Sequence, residues 1–494
     1  MATMVRQKIN KFAFYRLRYP IAYVVFAVAL AAMLLTAGFY LPGGLSETEI
    51  DSALVSDNLN PTQLFSLKPD ELIYLPYRLL QAGTISIFGI SLIGIKLPSI
   101  IMGFISALGL LYLLNLWYRR NVAIIVAIIA VTTNQFLLSS QAGEAGSAYI
   151  FLTTMILVAA SMITRQGAYA KLWLLAGFAL AAVSLYMPLN SYVLVALALT
   201  ALFHPHARHL LFRTSPKPIL ALGVTVFLAI ISPIVFGIYK DPSILKTLLG
   251  FSENISQLGT NATTLLRNYS QFNMPSTGEV ITPVYGLGLV FLIVLGLYRL
   301  ISAKYTTRSY ILSIWLVLLV PLVCLNPGFV SITFVPVVLI IALAIDYLIR
   351  SWYRLFPRNP YARIFGLLPL AVLVVGLVAS NVDRYVYGLH YDQSVYMSYS
   401  YDLSLLREKL HSIEGDSSVQ LIVEPEQAEF YKSFARHQRI VRDLTVSSNP
   451  VVSPSADFTI ADKSMKQRID KIPSEIIVLR TSQDADRFYL YKKG

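Results

Sequence analysis

The sequence predicts an α-helical polytopic membrane protein with about eleven transmembrane helices and a small C-terminal extracytoplasmic α/β domain. Three observations carry that expectation. Of 494 residues, 56% are hydrophobic and only 14% charged, against about 25% charged in soluble domains. Apolar runs recur along the first 380 residues and reach the roughly 20 residues needed to cross a hydrocarbon core. The charge is also divided: residues 1–380 hold 25 Lys+Arg and 11 Asp+Glu, whereas residues 381–494 hold 15 and 16.

The first run, Ile21–Leu41, is too long and too deep in the chain for a cleaved signal peptide and lacks a small-residue cleavage site, so it reads as a helix. Further runs lie near 97–117, 121–138, 147–163, 171–187, 189–203, 218–238, 283–300, 309–325, 329–349 and 363–380. The break at Met187-Pro188-Leu189-Asn190 suits a helical hairpin or a kink. Alternate loops then separate by charge. One set, which includes the N-terminus, holds 19 Lys+Arg and no acid. The other holds ten acids and only Lys68, Arg78, Lys96, Lys240, Lys246 and Arg267 as bases. The positive-inside rule places the first set in the cytoplasm. An odd number of spans then puts residues 381–494 and the long loops 41–96 and 239–282 outside the plasma (cytoplasmic) membrane.

Residues 1–380 are thus the transmembrane part, and 381–494 a soluble domain. The latter alternates strand-like runs at 419–423, 475–480 and 487–491 with a helical stretch, EPEQAEFYKSFARH. It contains no glycine-rich phosphate loop, HExxH or nucleophile elbow, which leaves structural cover or acceptor docking as its expected role. A nucleic-acid partner is excluded, because the basic excess belongs to the membrane part instead of one soluble face. The single cysteine, Cys324, rules out an intrachain disulfide and a cysteine metal cluster.

The informative stretch is GLSETEIDSA at 43–52, which sets Glu47, Glu49 and Asp51 directly after the first apolar run. Downstream, Arg78, Gly83, Gly89 and Gly94 interrupt the apolar stretch 72–95, a pattern that suits interfacial helices better than a span. In order, the chain presents Ser46-Glu47-Thr48-Glu49, Lys68-Pro69, Phe88-Gly89 and Lys96-Leu97-Pro98-Ser99.

That order resembles the GT-C superfamily of membrane glycosyltransferases, closest to members using polyprenyl-phosphate sugars, such as protein O-mannosyltransferases and lipid A aminoarabinose transferases. Two departures stand out. The usual Asp-Glu pair is Ser46-Glu47, and the arginine after the third span is replaced by LSSQAGEAGSAY, which offers Glu144 and Tyr149. The resemblance implies a GT-C-like fold and an inverting hexosyl or pentosyl transferase. Such an enzyme moves a sugar from a polyprenyl-phosphate donor to a hydroxyl of a lipid, glycan or protein acceptor on the outer face. It assigns Glu47 as the base on the acceptor hydroxyl, with Glu49 or Asp51 assisting or holding a divalent cation; no other cofactor is implied. Lys68 becomes the donor-phosphate contact, joined by Lys240, Lys246 and Arg267. Glu144, Tyr149, Asp70 and Glu71 are candidate cavity residues.

Two other classes compete. A transporter or flippase would carry ionisable residues deep in its spans, where the only carboxylate is Asp346, matched by Arg350 at i+4. A non-catalytic scaffold would keep the fold and lose the reaction. Sequons begin at Asn254, Asn261 and Asn268 on the second outer loop.

Overall fold

The computed structural model describes residues 13–41, 44–167, 169–209, 217–251, 258–270, 281–302, 306–355, 360–392, 395, 398–399, 403–413, 415–478 and 486–492. Each apolar run folds as a helix, because a segment crossing hydrocarbon must satisfy its backbone internally. In chain order the membrane part comprises α1 (Ala13–Phe39), α2 (Glu47–Asp57), α3 (Pro69–Leu72), α4 (Leu75–Phe88), α5 (Leu92–Trp117), α6 (Arg120–Val131), α7 (Asn134–Gln141), α8 (Gly146–Thr164), α9 (Ala170–Ser184) and α10 (Ser191–Phe203). There follow α11 (Pro205–His209), α12 (Lys217–Lys240), α13 (Ser243–Leu249), α14 (Leu258–Ser270), α15 (Leu287–Ser302), α16 (Thr307–Leu325), α17 (Phe334–Leu355) and α18 (Pro360–Tyr391).

Among the described residues, seven helices are long and apolar enough to span a bilayer. α6 and α7 form an eighth segment bent by 62°, and α9, α10 and α15 are shorter apolar helices. The bend falls at Thr132-Thr133, whose hydroxyls donate back to the carbonyls of Ile128, Ile129 and Ala130. α5, α6, α8 and α17 supply the buried centre, with Leu113, Leu114, Val126, Leu157 and Leu339 fully enclosed. Val24, Val28, Val317 and Val372, on peripheral helices, are largely exposed, as expected of surfaces solvated by lipid chains.

α4 is too short to be a span, in keeping with an interfacial helix. α18 runs unbroken through the expected division at residue 380. The C-terminal part consists of α19 (Leu403–His411), β1 (Ser418–Ile422), α20 (Ala428–His437), β2 (Asp443–Ser447), β3 (Phe458–Asp462), β4 (Glu475–Val478) and β5 (Asp486–Lys492). Its five-stranded sheet has the order β2-β1-β3-β5-β4, parallel from β2 to β3 and antiparallel beyond. β1, β4 and β5 occupy the expected strand-like runs, while β2 and β3 are additional. The sheet's core is continuous with the first outer loop: Ile50 and Ala53 of α2 and Ile85 of α4 share one apolar cluster with Leu406, Leu421, Phe430 and Phe434. Burial of that shared surface fixes α2 and α4 against the sheet.

Candidate active site

The stretch at 43–52 is the start of α2, and the helix decides where each acid goes. Ser46 caps it: the Ser46 hydroxyl accepts from the Glu49 amide at 3.2 Å, and the Glu49 carboxylate accepts from the Ser46 amide at 2.9 Å. This reciprocal capping box satisfies two otherwise orphaned donors. At 3.6 residues per turn, Thr48, Asp51, Ser52 and Val55 form one stripe, and Glu49, Ala53 and Ser56 another. The second stripe is buried; the first lines a cavity.

On the buried side Glu49 is 0% exposed, and its Oε1 lies 3.4 Å from Lys96 Nζ, also 0% exposed. The same oxygen accepts from the Gly143 amide at 2.6 Å, and Lys96 also donates to the Gly44 carbonyl at 3.3 Å. Gln81 completes this layer with both ends occupied. Its amide donates to the carbonyls of Ile95 and Gly143, and its oxygen accepts from Ser52 and Ser56. Ser99 donates to the Glu144 carbonyl at 3.2 Å and bonds the Tyr77 hydroxyl at 2.8 Å. Glu49, Gln81 and Ser99 therefore clamp the backbone at 143–144. Gly143 is required there, since a Cβ would lie 2.5 Å from the Ile95 side chain.

The clamped loop carries Glu144 into a cavity of about 340 Å³, opposite Asp51 of α2. Arg78 of α4 and the rings of Tyr74, Tyr149 and Phe329 complete its distinctive walls. Tyr149 stands edge-on to Tyr74 and Phe329, with centroids 6.2 and 6.1 Å away. Tyr74 adopts a left-handed backbone, φ 64°, uncommon for a bulky residue and of the kind that gathers at functional sites. The Arg78 guanidinium lies 5.8 Å from the Tyr74 ring centroid. Its Nη1 is buried with no hydrogen-bond partner among the described residues. Burial holds the Arg78 pKa below its usual value, opposed by Tyr74, Asp70 and Glu71, and pushes the Tyr74 phenol up. The cavity thus combines two carboxylates, a cation with an unused donor and aromatic walls. Among the described residues no three His, Cys, Asp or Glu side chains converge to hold a metal ion.

Residues 76–236 match the family model of dolichyl-phosphate-mannose-protein mannosyltransferases, less than half of the chain. The fold matches that of ArnT from Cupriavidus metallidurans in the apo state, with TM-score 0.50 and 11% identity over 96% of this chain and 98% of that one. It also matches the Archaeoglobus fulgidus oligosaccharyltransferase tethered to an acceptor peptide, with TM-score 0.52 and 12% identity over 92% of this chain and 70% of that one. The chain has the fold of these two membrane proteins. No curated protein matches it in sequence. A complex of the archaeal enzyme, AglB, with an inhibitory peptide and a dolichol-phosphate matches with TM-score 0.50 and 12% identity over 91% of this chain and 70% of that one.

Of the residues expected from the sequence, Glu144 and Tyr149 lie on the cavity wall. Glu47 is exposed in the first turn of α2 and is not among the residues lining the cavity. Glu49 is enclosed and committed to structural bonds. Lys68 is exposed ahead of α3, its amide bonded to Glu71 at 2.9 Å. Asp70 and Glu71 form the first turn of α3 and act on the cavity through the charge of Arg78. Lys240, Lys246 and Arg267 are exposed on the second outer loop, with Lys240 standing 4.5 Å from the Phe236 ring centroid. Asp346 pairs with Arg350 at 2.8 Å. Of the sequons, Asn254 lies outside the described residues, whereas Asn261 and Asn268 are on α14. In the sequence Arg78 reads as one of six loop bases and an interruption of an apolar stretch, and Asp51 as an assistant.

Proposed function

We propose that the protein transfers a sugar from a polyprenyl-phosphate-linked donor to an acceptor hydroxyl in the cavity between α2, α4 and α8, on the extracytoplasmic face. The reading rests on one observation above all: Asp51, Glu144 and Arg78, one of whose buried nitrogens has no partner among the described residues, line one cavity. Asp51 takes the proton from the acceptor hydroxyl. That oxygen attacks the anomeric carbon as the sugar–phosphate bond breaks, and the negative charge gathers on the polyprenyl phosphate. Arg78 balances it, since a guanidinium suits phosphate geometry and acts most strongly where water is excluded. Glu144, held by the clamp on its backbone, orients sugar or acceptor hydroxyls, and Tyr74 and Tyr149 bound the sugar. The choice of Asp51 over Glu47 follows from the helical stripe that carries it into the cavity.

Donor chemistry is supported by the mannosyltransferase family model and by the dolichol-phosphate complex of a protein with this fold. The outward orientation is supported by the charge of the loops. The test is turnover of a radiolabelled polyprenyl-phosphate hexose by the purified protein in nanodiscs, with membrane lipid extract as acceptor source. The expected result is labelled product and free polyprenyl phosphate, both abolished by Arg78→Gln. Equal turnover by Arg78→Gln, or turnover of a nucleotide sugar instead, contradicts the reading.

A further inference from the structure

A second cavity, of about 370 Å³, lies where the C-terminal end of α4 meets the soluble part, and it shares no lining residue with the first. Its walls include Arg407 of α19, Arg436 and His437 of α20, and Arg439, against Phe88 and Gly89. No Asp or Glu among the described residues lines it. Among the described residues, the one carboxylate in contact with these side chains is Asp57, bonded to His437 Nε2 at 2.7 Å and 3.7 Å from Arg436. It also accepts from Ser433, so it works from behind the wall, fixing α20 against α2. Gly89 makes the turn there: its φ is +68°, a conformation that favours glycine, and His437 packs directly against it. The lip is apolar: Ile87 is 74% and Phe88 46% exposed beside the arginines.

Three guanidiniums with so little compensating charge, opening beside exposed apolar side chains, match an anion attached to a hydrocarbon chain. We infer that this cavity binds the phosphate of an anionic lipid headgroup, at a site separate from the reaction cavity, holding the soluble part against the membrane surface. Arginine forks pair bidentately with phosphate oxygens, and juxtamembrane cations are attracted to anionic lipid surfaces. About 10 residues of α4 separate Arg78 from Phe88, or roughly 15 Å of helix, so both sites can be occupied together.

Binding is measured on the full-length protein in mixed micelles, with phosphatidylglycerol, phosphatidylcholine and inorganic phosphate as probes. The expected result is phosphatidylglycerol binding about tenfold tighter than phosphatidylcholine. Arg407→Gln with Arg439→Gln should erase that preference, and Arg407→Lys with Arg439→Lys should keep most of it. Lys432→Gln with Lys471→Gln removes the same charge from exposed positions elsewhere in the soluble part and should leave the preference intact. Inorganic phosphate should not displace the lipid at millimolar concentration; if it does so as well as phosphatidylglycerol, the ligand is a free phosphate and the lipid assignment falls. An unchanged preference in the glutamine pair, or equal loss in the Lys432/Lys471 pair, overturns the site.

Discussion

The two outer loops read alike in sequence, as polar insertions carrying a few bases and acids between apolar runs, yet the structure uses them in opposite ways. The first folds as α2, α3 and α4 and encloses part of its charge, leaving Glu47, Asp51 and Lys68 exposed. Glu49 and Lys96 are fully buried, and Arg78 is tucked against Tyr74. The second leaves Lys240, Lys246 and Arg267 in the open. What separates them is the apolar surface each meets. α2 and α4 share a core with the C-terminal sheet, whereas Ile244 and Leu248 of α13 join a smaller cluster with Leu72, Leu75 and Tyr186 and Leu265 of α14 packs on the membrane core. A charge becomes useful for chemistry where packing forces it out of water.

Breaking the enclosed loop should have the largest effect. Glu49→Gln leaves Lys96 buried without its counter-charge, which should cost about 3–5 kcal/mol in thermal or denaturant unfolding. Replacing both partners, Glu49→Gln with Lys96→Met, should recover more than half of that; a double variant as unstable as the single one would deny the pairing. Next in size, Arg78→Gln should lower transfer about 10²–10³-fold with the unfolding midpoint unchanged. A loss matched by unfolding would make Arg78 structural. Ser99→Ala removes one strut from the Glu144 backbone and should cost about 1 kcal/mol of stability. A parallel fall in transfer would sharpen the link between the clamp and the cavity. Smallest of all, Lys240→Gln together with Arg267→Gln should change transfer by less than about twofold, as exposed charges do. A tenfold loss there would return donor binding to the second loop.

The membrane architecture was legible because apolar runs must become helices in lipid, and each of the eleven runs matches a helix or the bent pair α6–α7. Of the soluble strands, β2 (DLTVS) and β3 (FTIAD) escaped notice because five residues with polar members carry little alternation. In the site, motif order located the right segment, but reading 43–52 as a loop made its three acids interchangeable. The signal that separates them was present: SETE has the S-x-x-E spacing of a capping box, which assigns Glu49 to the helix start. The helical period then sets Asp51 two positions, about 200°, around from it. Arg78 could not be recognised from sequence, since its importance depends on a buried nitrogen left without a partner.

The central claim is that the stripe carrying Asp51, which lines the cavity, and not Glu47, faces the reaction. Single-turnover transfer by Asp51→Asn and Glu47→Gln, each checked for an unchanged unfolding midpoint, tests it most directly. The account predicts a loss of about 10²–10⁴-fold for Asp51→Asn, the contribution of a general base, and less than about threefold for Glu47→Gln. The reverse ordering would contradict it.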